Sequence, residues 1–176
     1  PDAEGSAGLE AVNTYAIAIQ FGAIVAVLGL FWARLREMLL GLFGRSPEGR
    51  HLLITLVIAF VPSALLGVAL DSKIEDVLFG PWPVVIAWVL GGALILVLEG
   101  TGRIPDRGVA AEVGHNRLAS ITHRQALIIG LAQCVALWPG TSRSLATIVG
   151  ALLVGVAMPV AVEFSFLLGF ATLSAA

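Results

Sequence analysis

Arg143 is the residue of this sequence whose type and position most directly predict chemistry. It lies between two long apolar stretches, in the segment Pro139-Gly140-Thr141-Ser142-Arg143-Ser144. A guanidinium presents a planar fork of N–H donors that matches the oxygens of a phosphate group. An ionisable side chain in such apolar surroundings is first considered as part of a functional site. The segment therefore predicts a site for an anion.

The hydroxyl groups that flank Arg143 strengthen this prediction. If a helix begins near Leu145, they converge on its N-terminus, where free N–H groups and the positive end of the helix dipole favour an anion. Two other interpretations stay open: Arg143 pairs with Glu163, or its side chain extends to the membrane interface. The candidate anion-binding residues are Ser142, Arg143, Ser144 and Thr147.

Two polar residues outside this segment are candidates for a supporting role. Glu163 is the one carboxylate after Glu112, and it is expected either to orient Arg143 or a neighbouring donor, or to be a structural acid that faces the interior of the protein. Gln20 lies within an apolar stretch, where an amide either joins helices or supports a site. The three histidines and the single cysteine have no spacing typical of a metal centre, so no metal ligands are predicted within this chain.

The elements around Arg143 predict a hairpin that enters the membrane without crossing it. The apolar arms 125–138 and 145–157 have 14 and 13 residues, and each is about 20 Å long as a helix. A hydrocarbon core is about 30 Å thick, so neither arm crosses it alone. Pro139-Gly140 interrupts the two arms. A re-entrant, broken-helix hairpin at about 125–157 is therefore predicted, with its irregular tip buried in protein or lining a wet cavity.

The whole composition is that of a membrane protein. Of the 176 residues, 58% are hydrophobic and 12% charged, the mean hydropathy is +0.96, and the net charge is −2. These values exclude a soluble domain, a disordered chain and a nucleic-acid-binding protein. We predict one all-α polytopic membrane domain over residues 1–176. Its spans are expected at about 12–32, 52–70 and 84–98, with a final, truncated span from about 160.

The distribution of basic residues predicts an orientation in the membrane. Eight of the ten arginines and lysines lie in the segments 33–51 and 99–124, and Lys73 is the one basic residue between them. Cytoplasmic loops carry the excess of positive charge. Both arginine-rich segments are therefore expected in the cytoplasm, with the N-terminus and the segment 71–83 on the outer side.

Several segments together resemble a known family. The stretch Ala136-Leu-Trp-Pro-Gly-Thr-Ser-Arg-Ser144, followed by Ala146-Thr147 and Glu163-Phe-Ser-Phe166, is similar to the second signature of the bacterial undecaprenyl-diphosphate phosphatases of the bacitracin-resistance type. His123-Arg-Gln-Ala126 and the segment 18–27 fit the same family. Leu145 departs from it, because the family usually has glycine there. The family's first signature, a Glu-rich segment ending in Pro-Val-Ser-Ser-Thr-Gly-His, has no counterpart here.

The resemblance implies a fold and an activity. The fold is a membrane protein with two inverted repeats and re-entrant hairpins, of which this chain would hold about one and a half, without the C-terminal helices. The activity is removal of the terminal phosphate of undecaprenyl diphosphate, which recycles the lipid carrier for peptidoglycan synthesis and confers bacitracin resistance. Arg143 would clamp the diphosphate, and the hydroxyls of Ser142, Ser144 and Thr147 would bond its oxygens. The resemblance thus implies Arg143 and Ser142 as catalytic residues, and a substrate-binding set of Gly140, Thr141, Ser142, Arg143, Ser144 and Thr147.

The resemblance also implies a cofactor, a location and partners. A divalent cation, Mg²⁺ or Ca²⁺, would be held mostly by the missing first signature, so the 176-residue chain alone is expected to be inactive. The location would be the bacterial inner membrane, with the active site open to the periplasm. The partners would be the lipid substrate and the bilayer, with bacitracin acting indirectly by sequestering the substrate and a homodimer as one allowed assembly.

A different class of protein uses a similar device. A transporter or flippase for an anionic lipid also aims broken-helix N-termini at anionic groups, without hydrolysis. The acidic, histidine-bearing first signature discriminates the two functions, since hydrolysis needs it and translocation does not.

Overall fold

The computed structural model describes residues 3–78, 80–101 and 118–175, and the regular secondary structure of this part is helical, without a strand. This confirms the predicted all-α class. Residues Arg103, Arg107, Glu112, His115 and Arg117 lie outside the described residues. The helices are α1 (Ala3–Leu30), α2 (Trp32–Leu42), α3 (Pro47–Leu78), α4 (Pro81–Gly100), α5 (His123–Gln133), α6 (Arg143–Leu153) and α7 (Met158–Ala175), with short 3-10 turns at Leu118–Ser120 and Cys134–Leu137.

Three of these helices are long and apolar enough to cross a membrane. They are Pro47–Leu70 within α3, Pro81–Gly100 and Met158–Ala175. A fourth candidate is the bent pair Ile17–Leu30 and Trp32–Leu42, whose two parts differ in direction by 78°. The chain is therefore a multi-pass membrane protein.

The first span differs from the sequence prediction of one helix over 12–32 followed by a loop. The helix breaks at Phe31, and α2 then continues to Leu42 through residues that were expected in the loop. Close packing explains this helix: a Cβ on Gly41 would collide with the backbone nitrogen of Arg50, and one on Gly49 with the carbonyl of Glu37. The two glycines let α2 lie directly against the start of α3.

The helical hairpin packs along α3, and its base is tied to one end of that helix. The rings of His51 on α3 and His123 on α5 lie 4.9 Å apart. Farther along, a Cβ on Gly130 would run into the backbone of Ala59, so α3 and α5 touch through their backbones. Ile129 and Phe164 are completely buried in the core that α3 and α5 form with α6 and α7.

The tip of the hairpin reaches far along α3. A Cβ on Gly67 would lie 3.6 Å from Leu137 Cδ2, and sixteen residues separate Gly67 from His51 at the base. Sixteen residues of helix rise about 24 Å, most of a hydrocarbon core of about 30 Å. The Gln125 Nε2 group donates to the Val154 carbonyl at 3.0 Å, so the two arms return to the same end. With the predicted orientation, the base faces the cytoplasm and the tip lies toward the outer side.

The orientation is open to a direct test by single cysteines in a Cys134→Ala background. Ser46 precedes α3 and Ser72 lies beyond its predicted span, so we expect Ser46→Cys and Ser72→Cys to be labelled from opposite sides of intact cells. An impermeant thiol reagent added outside should modify the cysteine at 72 alone. Equal modification of both cysteines from outside would contradict the orientation.

Candidate anion site at the hairpin tip

The tip of the hairpin is a sharp turn that ends one helix and starts another. After α5, a 3-10 turn at Cys134–Leu137 leads into Trp138, whose carbonyl accepts from the Thr141 N–H at 3.1 Å. The Trp138 indole N–H donates to the Pro83 carbonyl at 3.1 Å and joins the tip to α4. Helix α6 then begins at Arg143, with Ser142 as its N-cap accepting from the Leu145 N–H at 3.3 Å. The cap places Arg143 in the first turn of the helix.

Gly140 is required at this turn for two reasons. Its φ is +91°, a conformation that side chains disfavour, and a Cβ there would lie 3.0 Å from both Val84 Cγ1 and the Val84 carbonyl oxygen. Gly155 has a similar φ of +82°, but a Cβ on it would meet nothing within 4 Å. A side chain at position 140 would therefore both strain the backbone and collide with α4.

This pair of glycines gives a matched prediction on stability. Gly140→Ala should lower the free energy of unfolding by about 1–3 kcal/mol and loosen the contact of the tip with α4. Gly155→Ala carries the backbone strain alone, at about 1 kcal/mol. Thermal unfolding of both variants in one detergent measures the difference. Equal losses would contradict the close approach of Gly140 to Val84.

Arg143 projects into a cavity beside the tip. Its Nη1 group donates to the Thr172 hydroxyl oxygen at 2.6 Å, and Thr172 donates its own proton to carbonyls of α7, at 2.9 Å for Gly169. Thr172 is the one hydrogen-bond partner of this guanidinium among the described residues. The cavity has a volume of about 550 Å³ and its lining includes Phe60, Ser63, Ala64, Val68, Gln133, Leu137, Arg143 and Thr172. The remaining donors of Arg143 are available to a ligand.

The predicted hydroxyl residues divide into two groups in the structure. Ser142 and Ser144 are exposed at the start of α6, next to Arg143 in the chain. Thr147 is completely buried, and its Oγ1 lies 2.6 Å from Ser165 Oγ and 3.0 Å from the Arg143 carbonyl oxygen. This hydroxyl is used in the contact of α6 with α7, and the role of Thr147 in binding a ligand stays a prediction.

Glu163 lies away from Arg143 in the structure and has the position of a structural acid. It lies nine residues before Thr172 on α7, about 13 Å along the helix axis. Its Oε1 accepts from Arg34 Nε at 2.8 Å, and Arg34 also bonds Glu37 at 3.2 Å. The carboxylate therefore joins α7 to α2, at a distance from the tip.

Gln20 has the role of a contact between helices. Its Nε2 group donates to the Leu173 carbonyl at 3.2 Å and joins α1 to α7. Leu173 follows the threonine that bonds Arg143, so Gln20 supports the helix behind the cavity and is not part of the cavity lining.

Three polar residues of the cavity were not singled out from the sequence: Ser63, Gln133 and Thr172. The sequence does carry a signal for Gln133, because it is an amide within an apolar arm, as Gln20 is within an apolar stretch. Ser63 follows Pro62 inside a span, where hydroxyls often bond their own helix, so its type alone carries little information. Thr172 is brought to Arg143 across 29 residues of chain, and no local pattern indicates that contact.

Leu145 lies away from the cavity. A Cβ on Gly91 of α4 would lie 3.8 Å from Leu145 Cδ2, and Leu145 is absent from the cavity lining. The side chain that replaces the family's usual glycine therefore faces α4 and leaves the space around Arg143 open.

The described residues offer few ligands to a divalent cation. The cavity lining contains a guanidinium, two hydroxyls and an amide, without a carboxylate. Nowhere in the described ranges do three or more His, Cys, Asp or Glu side chains form a group that could hold a metal ion. Hard cations need several oxygen ligands, so this donor set does not by itself fit Mg²⁺ or Ca²⁺.

Fold and site together define a class of protein: a multi-pass α-helical membrane protein with a broken-helix hairpin and an arginine in the cavity at its tip. Residues 4–176 match the family described as bacitracin resistance protein BacA. The chain belongs to this family, as its signature segments indicated.

Curated relatives agree with this assignment. A protein of Sorangium cellulosum named undecaprenyl-diphosphatase is 43% identical over 168 residues, which cover 95% of this chain and 53% of the relative. Proteins of the same name from Psychrobacter sp. (strain PRwf-1) and Rhodopseudomonas palustris are 41% and 37% identical, and the matches cover 56% and 57% of those relatives. The chain thus spans about half the length of the curated relatives it matches.

Proposed function

We propose that this protein acts as an undecaprenyl-diphosphate phosphatase, with the cavity at the hairpin tip as its diphosphate site. The observation that carries the proposal is Arg143, which lines the cavity and donates to only one hydroxyl of the described residues. Family membership and relatives named undecaprenyl-diphosphatase support the same substrate. The protein would release the terminal phosphate and return the lipid monophosphate for peptidoglycan synthesis, which confers resistance to bacitracin.

The residues at the tip suit a phosphate in charge and geometry. The guanidinium fork bonds two oxygens at once, while the exposed hydroxyls of Ser142 and Ser144 add donors beside it. The first turn of α6 adds the positive end of a helix dipole. In phosphoryl transfer the protein contributes mainly by positioning the group and stabilising the charge on its oxygens. Arg143 and Ser142 are therefore the proposed catalytic residues within this chain.

The cavity also suits a lipid. Its lining combines polar residues such as Arg143 and Thr172 with the apolar residues Phe60, Ala64 and Val68. Val68 is 86% exposed. A polyprenyl chain can therefore leave the cavity over apolar side chains while its diphosphate stays beside the guanidinium.

The remaining parts of the proposal come from the family. The protein would lie in the bacterial inner membrane with the cavity open to the periplasmic side, and bacitracin would act on it indirectly by sequestering the substrate. A homodimer is the assembly to be examined. A divalent cation, Mg²⁺ or Ca²⁺, is proposed as cofactor, without ligands assigned to the described residues and without a step routed through it.

The test is phosphate release from undecaprenyl diphosphate by the gene-encoded protein, purified in detergent and assayed with Mg²⁺ or Ca²⁺. We expect stoichiometric release of inorganic phosphate and of the lipid monophosphate, abolished by EDTA. The 176-residue chain alone is expected to release none. Movement of the intact lipid diphosphate across vesicles, without phosphate release, would contradict the phosphatase and favour a flippase.

A further inference from the structure

Gln133 is a buried amide of the cavity whose oxygen has no hydrogen-bond partner. The residue is 3% exposed, it ends α5, and it lines the same cavity as Arg143. Its Oε1 is the one buried side-chain polar atom of the described residues that is left unpaired. Leaving a buried acceptor unpaired costs about 1–3 kcal/mol, so such an atom calls for an explanation.

The hydrogen bonds around Gln133 determine which way its amide faces. Ser63 donates its hydroxyl proton to the Phe60 carbonyl at 2.9 Å. The oxygen of that hydroxyl is then an acceptor, and it receives the Gln133 Nε2 group at 2.8 Å. The NH₂ group therefore faces Ser63, since the opposite rotamer would require Ser63 to give up its hydrogen bond to Phe60. The Gln133 carbonyl oxygen is the atom left for the cavity.

A free carbonyl oxygen selects its ligand by chemistry. It accepts hydrogen bonds only, so an ionised phosphate oxygen, which also accepts only, cannot bond it. Water can donate to Gln133 with one hydrogen while its oxygen approaches a phosphorus atom held by Arg143. Glutamine amides orient the attacking water in this way in GTP-hydrolysing enzymes.

On this basis, and resting on the function proposed above, we propose that Gln133 is a positioning residue that holds the attacking water of the hydrolysis. The water oxygen forms a bond to the terminal phosphorus, and the bond from that phosphorus to the bridging oxygen breaks. The bridging oxygen leaves with the bonding electrons on the lipid monophosphate, and one water proton passes to an oxygen of the released phosphate. The products are the lipid monophosphate dianion and dihydrogen phosphate, which balances atoms and charge.

The proposal predicts a separation of kcat from KM. Gln133→Met keeps the volume but removes the acceptor, and it should lower kcat on the order of 10²-fold, because a misplaced reacting group costs about that much. KM for undecaprenyl diphosphate should change less than about twofold, since Arg143 still holds the diphosphate. Gln125→Met is the matched control. It removes the hydrogen bond from the Gln125 side-chain amide, at the far end of α5, to the Val154 carbonyl just after α6.

A second variant, Gln133→Glu, tests the positioning role of Gln133 even if Gln133→Met fails to fold. In Gln133→Glu the protonated carboxyl keeps both a donor for Ser63 and a carbonyl acceptor for water. The ionised carboxylate loses the donor and repels the phosphate, so its activity relative to the native protein should fall as pH rises through the pKa of the new carboxyl. Arg143 is the one ionisable side chain lining the cavity among the described residues.

The outcomes separate this inference from the proposed function. Suppose that the native protein turns over. An unchanged kcat in Gln133→Met, or a ratio of Gln133→Glu activity to native activity that does not depend on pH, would then overturn the role of Gln133 and leave the phosphatase intact. An equal loss of kcat in Gln125→Met would assign the effect to the hairpin as a whole and also overturn it. Absence of native turnover would overturn both proposals.

Discussion

Arg143→Lys should lower kcat for release of phosphate from undecaprenyl diphosphate on the order of 10²-fold or more. The positive charge is retained, but an ammonium cannot reproduce the planar fork that bonds two phosphate oxygens while one nitrogen stays on Thr172. Arg143→Ala should be at least as inactive. The measurement is steady-state phosphate release by the gene-encoded protein in detergent.

The control for this prediction is the same substitution at an exposed arginine. Arg45 lies in the turn between α2 and α3, at the base of the bundle and outside the cavity lining. Arg45→Lys should retain native activity, and both variants should have native thermal unfolding profiles. Native turnover by a folded Arg143→Lys protein would contradict the proposal that the Arg143 guanidinium holds the diphosphate.

A large effect on stability is also expected at the ion pair of Arg34 with Glu163. Their side chains are 15% and 27% exposed, and the Nε to Oε1 distance is 2.8 Å. Removing one partner leaves the other charge poorly compensated, so Glu163→Gln should lower the free energy of unfolding by about 2 kcal/mol. Arg34→Met should cost at least as much, because Arg34 also bonds Glu37.

A double-mutant cycle tests whether this effect belongs to the pair. If α2 and α7 are joined by it, the double variant Arg34→Met with Glu163→Gln should be destabilised by less than the sum of the single variants. Simple addition of the two losses, measured by unfolding in the same detergent, would contradict the pairing. Activity at Arg143 should follow the folded fraction, since the pair lies about 13 Å along α7 from Thr172.

The hairpin could be predicted from the sequence because its signals are local. Arm lengths too short for the bilayer, a Pro-Gly break and an arginine next to hydroxyl residues all lie within 125–157. The structure places α5 and α6 in this range and Arg143 at a cavity. The catalytic and binding roles of the exposed residues there stay predictions.

The partners of the polar residues could not be predicted, because they are distant in the chain. Thr172 is 29 residues from Arg143, Ser63 is 70 residues from Gln133, and Glu163 is 129 residues from Arg34. A long apolar stretch identifies a membrane span, but it does not determine which face of the helix contacts another helix. For the same reason the sequence does not show that the packing of α6 on α7 buries the Thr147 hydroxyl.

The bend at Phe31 was also beyond sequence reasoning. Residues 12–32 carry no charge, and no proline interrupts them. The bend follows from the packing of Gly41 and Gly49, which draws α2 onto α3 across the turn between them. The sequence shows both glycines, but only the fold shows that each of them lies against the backbone of the other helix.

Protection of a cysteine inside the cavity tests the diphosphate site most directly. Gly67 lines the cavity, and a Cβ there meets only Leu137 Cδ2, at an ordinary 3.6 Å, so Gly67→Cys should be tolerated in a Cys134→Ala background. Undecaprenyl diphosphate should slow modification of this cysteine by a thiol reagent several-fold, and undecaprenol should slow it much less. Modification at Ser46→Cys, outside the cavity, should be unaffected. Equal rates at position 67 with and without the lipid diphosphate would contradict the site.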